Sequence, residues 1–130
     1  MKTTLLFFFL STIAFAQQSL EESYERGKLL YDDFCVRCHL SNGLGEAGLV
    51  PPLANADFLE DIKATVHSIK YGIRGPIIVN GVEYNGSMSP MGLEDDEIAD
   101  VTNFILNSWG NTSDVMIEEQ YVKKVSEVKL

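Results

Sequence analysis

Apolar positions recur at intervals of three and four over much of the chain. Leu20, Tyr24, Gly27, Tyr31 and Phe34 place apolar or small residues on one stripe, the spacing of an α-helix with one buried face. Ser19, with Glu22 three residues later, reads as a capping box, so this helix is expected to start at Leu20 and run into Cys35. Phe58, Leu59, Ile62, Val66 and Ile69 give a second stretch, expected from Asn55 to about Tyr71 and stopped by Gly72 and Gly75. Ile98, Val101, Phe104 and Ile105, then Ser108 or Trp109, give a third that opens near Glu94 and closes at Gly110-Asn111. Its first turn carries Glu94, Asp95, Asp96 and Glu97. That run suits the positive end of a helix dipole and reads as a solvated helix start rather than a metal site. Ile117, Tyr121, Val125 and Val128 predict a short amphipathic helix in the tail, laid on the domain or docking a partner.

Helical spacing lapses in two places. Residues 40–52 hold Gly43, Gly45, Gly48, Pro51 and Pro52 and read as an irregular loop. Ile77-Ile78-Val79 and Val82-Glu83-Tyr84 flank Asn80-Gly81, a strong signal for a tight hairpin. That hairpin is expected to deliver the segment from Asn85 to Gly92. Gly27 stands out on the first stripe, because a mid-helix Gly costs about 1 kcal/mol relative to Ala. Its presence there predicts close passage of another backbone.

Length and charge narrow the picture. The 130 residues suffice for one small domain. Lys2, the apolar run over residues 5–16 and the small-x-small step Ala14-Phe15-Ala16 read as a signal peptide, with Gln17 starting the mature chain. The apolar run is too short to span a bilayer, which takes about 20 residues. The expected layout is a signal peptide over 1–16, a domain over 17–111 and a tail over 112–130, with no membrane span after cleavage. The formal charge is −9, and loss of Lys2 with the leader takes it to −10. Such a surface does not suit nucleic acid or anionic membrane and favours protein partners with basic patches.

The chemistry concentrates at Cys35-Val36-Arg37-Cys38-His39. Cys-x-x-Cys-His is the attachment sequence of a c-type haem. Two thiols three residues apart on a helical turn match the two vinyl groups of the porphyrin, and the next residue brings an imidazole under the iron. A redox-active disulfide uses the same cysteine spacing but usually sits near a βαβ pattern. A structural zinc site needs four ligands, and no second Cys/His pair lies nearby in the sequence.

With these residues in place, the chain resembles the class I cytochromes c, in particular the small bacterial mono-haem type, over roughly residues 20–111. Gly27, Tyr31 and Cys35 reproduce the family's Gly-x-x-x-aromatic-x-x-x-Cys run. The resemblance implies an all-α fold in which N- and C-terminal helices cross over one covalently bound haem c, with one short β-hairpin. It implies that Val101, Phe104 and Ile105 pack over Gly27 and Tyr31. It also implies that the Pro51 carbonyl accepts a hydrogen bond from the His39 imidazole, and that Leu53 lines the haem pocket. Tyr84-Asn85-Gly86-Ser87-Met88 and Ser108-Trp109-Gly110-Asn111 are similar to cytochrome domains and subunits attached to copper nitrite reductases, alcohol dehydrogenases and terminal oxidases. There the distal ligand is the Met of a Met-Pro step. Here the step reads Met88-Ser89-Pro90-Met91, with Pro displaced by one. Met88 is the expected ligand, and Met91 remains open.

Other candidates carry less. His67 sits beside the apolar stripe of the second helix, where a lone His is most often structural. Met116 reads as core, and Arg74 and Tyr71 as surface residues within reach of a propionate. A thioether opposite an imidazole favours Fe(II), raises the potential and fills the sixth position. The expected function is therefore a periplasmic single-electron carrier between a reductase and an oxidase, not an enzyme. The sequence contains no nucleophile elbow, P-loop or dinucleotide fingerprint. A haem-bearing subunit of an oxidoreductase complex and a gas-binding or peroxidase-type haem protein are the alternatives.

Overall fold

The computed structural model describes residues 19–125; the expected signal peptide and tail position Val128 lie outside them. Helix α1 spans Leu20–Phe34. The Ser19 hydroxyl accepts from the Glu22 N–H and the Glu22 carboxylate accepts from the Ser19 N–H, each at 3.2 Å, which is the capping box the sequence predicts. After Cys35 the chain makes one further turn, α2, over Val36–His39. The loop that follows is held by the Gly43 carbonyl, which accepts from the N–H groups of Leu53 at 2.7 Å and Ala54 at 2.9 Å.

The second helical stretch is divided. A 3-10 turn over Asp57–Glu60 precedes helix α3, Ile62–Tyr71. Asn55 does not start the helix: its φ is +50° and its N–H donates to Asn111 Oδ1 at 2.9 Å. Asp61 does, accepting from the Ala64 N–H at 2.9 Å.

Strands β1, Ile73–Val79, and β2, Val82–Met88, pair antiparallel from Val79↔Val82 at the turn to Ile73↔Met88 at the open end. Asn80 and Gly81 both take positive φ, 52° and 77°, as a two-residue hairpin turn requires. The ladder is longer than the sequence predicts and absorbs residues 85–88, expected as loop. Among the described residues the fold is helical with one two-stranded antiparallel hairpin, as expected.

Helix α4, Asp95–Leu106, starts at Glu94, whose N–H donates to the Glu97 carboxylate at 2.9 Å. It crosses α1 at Gly27, where an added Cβ would lie 2.0 Å from the Asp100 carbonyl oxygen. Phe104 stacks on Tyr24 and Tyr31 with ring centroids 5.0 and 5.2 Å away, and Trp109 lies 5.0 Å from Tyr31. The crossing that Gly27 predicts is therefore present, with the expected aromatic partner on α4. A buried polar knot sits beside it. The Asp100 carboxylate accepts from Ser23 Oγ and Arg26 Nε, each at 2.6 Å.

The tail is not one continuous helix. Asn103 on α4 holds Ile117 by two hydrogen bonds of 2.8 Å, to its carbonyl and from its N–H. A short helix α5, Glu119–Lys124, follows. Ile117, Val122 and Val125 are buried, whereas Tyr121, expected on the buried stripe, is only half-buried. Anchoring Ile117 outside the helix shifts the helix phase and turns Val122 inward.

Candidate functional site

Helix α2 is a single turn, yet it sets the site. The carbonyl of Cys35 accepts from the N–H groups of Cys38 at 3.1 Å and His39 at 3.0 Å. The turn therefore carries both sulfurs and the imidazole within one helical pitch. All three side chains line one cavity of about 370 Å³. The loop contributes Pro51 and Leu53 to its wall, α3 contributes Ile69, the hairpin Tyr84 and Met88, and α4 Ile105.

His39 is mostly enclosed, and its Nδ1 lies 3.1 Å from the Pro51 carbonyl oxygen. A carbonyl only accepts, so Nδ1 carries the proton and Nε2 keeps its lone pair. Burial lowers the His39 pKa, and the bond to Pro51 only partly offsets this. The imidazole is thus neutral near pH 7 and is a competent metal ligand. Cys35 is half-buried and its thiol is pushed up to about 11, chiefly by burial and then by the nearby Cys38. Cys38 is exposed, and both cysteines are free thiols.

Every residue singled out from the sequence for the site, namely Cys35, Cys38, His39, Pro51, Leu53 and Met88, lines this one cavity, and so does Met91. The others fall elsewhere. His67 stacks 5.2 Å from Tyr71, and its Nε2 is buried without a hydrogen-bond partner among the described residues. Met116 lines a separate groove with Asp96 and Glu118. Tyr71 donates its hydroxyl to the Val125 carbonyl, and Arg74 stands exposed on β1.

Two contributors escaped the sequence reading. Ile73, Ile77 and Val79 alternate inward along β1 and line the cavity, with Gly75 between them. Their period of two was visible, but Gly75 and Pro76 masked it. Gly72 was read only as a helix stop. A Cβ there would lie 2.5 Å from the Met88 carbonyl oxygen and 2.9 Å from Pro90 Cδ. This glycine lets the end of α3 press against the Met88 segment.

The donor set fits a haem. Two free thiols three residues apart, a neutral imidazole and two thioethers share a cavity whose wall is otherwise largely apolar. A soft thioether and an imidazole are a recognised axial pair for haem iron.

Comparison with known proteins agrees. The Cytochrome c family model matches residues 24–109. Over the whole chain, the sequence is 36% identical to a Cytochrome c-552 of Thermus thermophilus, covering 90% of that protein. A second Cytochrome c-552 of the same species is 39% identical over 74% of this chain and 81% of its own length.

Proposed function

The chain belongs to the cytochrome c family, and on that premise we propose that Cys35 and Cys38 hold its haem c, that His39 and Met88 are the axial ligands, and that it works as a periplasmic single-electron carrier. Membership makes it an electron-transfer protein with covalently bound haem c. The bound haem supplies an iron that alternates between Fe(III) and Fe(II).

One observation carries the assignment: the hydrogen bond of 3.1 Å from His39 Nδ1–H to the Pro51 carbonyl, in the cavity that also receives both thiols and Met88. It fixes the tautomer, orients the ring and raises the basicity of Nε2. Leu53, next to Pro52 in the same loop, keeps the wall apolar. An apolar surround limits reorganisation when the charge changes.

Met88 is favoured over Met91 by how it is held. It closes the ladder opposite Ile73, and its carbonyl meets Gly72. Met91 lies beyond Pro90, outside the ladder, with one backbone bond to the Ile69 carbonyl at 3.4 Å. With His39 and Met88 both holding the iron, no position would remain for O₂ or peroxide, which favours transfer over catalysis.

A free carrier is favoured over a permanently docked subunit. The apolar residues Ile117, Val122 and Val125 are buried inside the domain and so are not offered to a partner. The acidic surface favours reductase and oxidase partners with basic patches. Export rests on the leader-like first sixteen residues.

The test is an absorption spectrum of native and Met88→Ala holoprotein. The native protein is expected to be low-spin with a thioether-to-iron band, and its haem is expected to resist extraction into acidic acetone. Met88→Ala loses the band and lowers the potential, while Met91→Ala changes little. Extractable haem refutes the attachment, and the reverse mutant pattern moves the ligand to Met91.

A further inference from the structure

We propose that Lys70 and Tyr71 are positioning residues for the distal ligand: they tie the C-terminal strap to the end of α3 that clamps Met88. This rests on Met88 being that ligand.

Three contacts between the Met88 segment and the end of α3 with the two residues after it define the clamp. Gly72 meets the Met88 carbonyl and Pro90, the Ile69 carbonyl accepts from the Met91 N–H, and Ile73, next in the chain, pairs with Met88. Any movement of the last turn of α3 therefore moves the sulfur-bearing residue. Last turns fray, because their carbonyls lack intrahelical partners. Within the helix this turn is closed by the Gly72 N–H on the Ser68 carbonyl, 2.9 Å.

The bracing comes from outside. Lys70 Nζ bridges Asp95 on α4, at 2.8 Å, and the Val122 carbonyl, at 3.1 Å, with its side chain mostly covered. Tyr71 donates its hydroxyl to the Val125 carbonyl at 3.2 Å. The strap these two residues grip is itself anchored, by Asn103 on Ile117 and by the burial of Val122 and Val125. Lys70 and Tyr71 immediately precede Gly72. The path from the tail to Met88 thus runs through two adjacent side chains and one glycine contact.

Imidazole binds ferric haem only when the distal ligand leaves, so its apparent affinity reads how often that happens. Each lost hydrogen bond is expected to make departure about fivefold easier. Ferric holoprotein is titrated with imidazole as wild type, Tyr71→Phe, Lys70→Met and Ile98→Val, and the thioether band is followed on warming. Guanidinium unfolding of each variant gives its global stability. Ile98 is buried in α4 and does not line the cavity, so its truncation reports generic destabilisation.

Tyr71→Phe and Lys70→Met are expected to bind imidazole several-fold tighter and to lose the band at lower temperature, whereas Ile98→Val leaves both near wild type at comparable stability loss. Unchanged imidazole affinity in Tyr71→Phe and Lys70→Met overturns the positioning role alone. So does an equal gain in Ile98→Val. A band that survives Met88→Ala overturns the ligand assignment, and this inference with it.

Discussion

Replacing Gly27 by Ala sets two physical effects against each other. Helix propensity alone favours the change by about 1 kcal/mol, since Ala loses less backbone entropy than Gly. The crossing with α4 opposes it. The new Cβ would stand 2.0 Å from the Asp100 carbonyl oxygen, 2.6 Å from its carbon and 2.9 Å from Phe104 Cβ. Two of these atoms are backbone and cannot rotate away. Restoring ordinary contact means that α1 and α4 separate by more than an ångström, and well-packed atoms lose a large part of their attraction over such a gap. The stacks of Phe104 on Tyr24 and Tyr31, worth about 0.5–1.5 kcal/mol each, loosen together. Overpacking of this kind costs about 1–3 kcal/mol or more. The net expectation is a loss of about 2 kcal/mol or more. Guanidinium unfolding of the holoprotein, followed by far-UV circular dichroism, measures it. Stability equal to or above wild type at unchanged slope would refute the close crossing.

Further outcomes follow from the same geometry. Asn103→Ala leaves the buried N–H and carbonyl of Ile117 without their partner; a loss of about 2–4 kcal/mol is expected, with faster amide exchange in residues 113–125 read by NMR. Asp100→Ala strips the buried Ser23 hydroxyl and the Arg26 guanidinium of their acceptor; chemical denaturation should register a drop of at least about 2 kcal/mol, and a drop under half of that counts against the knot. Gly43→Ala places a Cβ 2.6 Å from the Trp109 ring at a φ of +67°; quantum yield and emission wavelength of Trp109 are expected to change, and an unaltered spectrum speaks against the contact. Burial raises the Tyr31 phenol above its ordinary range, with lesser contributions from Cys35 and Asp32. The fold therefore favours the protonated form: its stability is full below about pH 10 and falls as the unfolded chain ionises above it. Tyr31→Phe should flatten that alkaline slope in a pH series of unfolding curves.

Features fixed by neighbours in sequence were legible from the start. The capping box at Ser19, the hairpin tip at Asn80-Gly81 and the cysteine–histidine turn each depend on a handful of adjacent residues, and each stands where expected. Gly27 was legible for a different reason, since its cost within a helix demanded a compensating close approach. What escaped depends on distant partners. Asn55 and Asp61 are both good cap formers, and the choice fell to Asp61 because Asn55 is committed to Asn111 and Asn80. The tail's phase was set by Asn103, fourteen positions before Ile117. The outer half of the hairpin carries Gly75, Pro76 and Gly86, residue types that disfavour strands, yet its backbone ladder holds them. In the site, Met88 stood out as a sulfur atom, whereas the glycine pressing on it carried no chemical mark.

The partner of Gly27 on α4 lies more than seventy positions downstream, as does that of Arg26. The central junction is therefore a long-range contact that cannot close until α4 has joined α1. Without α4 the cysteine–histidine turn sits on an unlatched α1, and the anchor at Ile117 closes over α4 in turn.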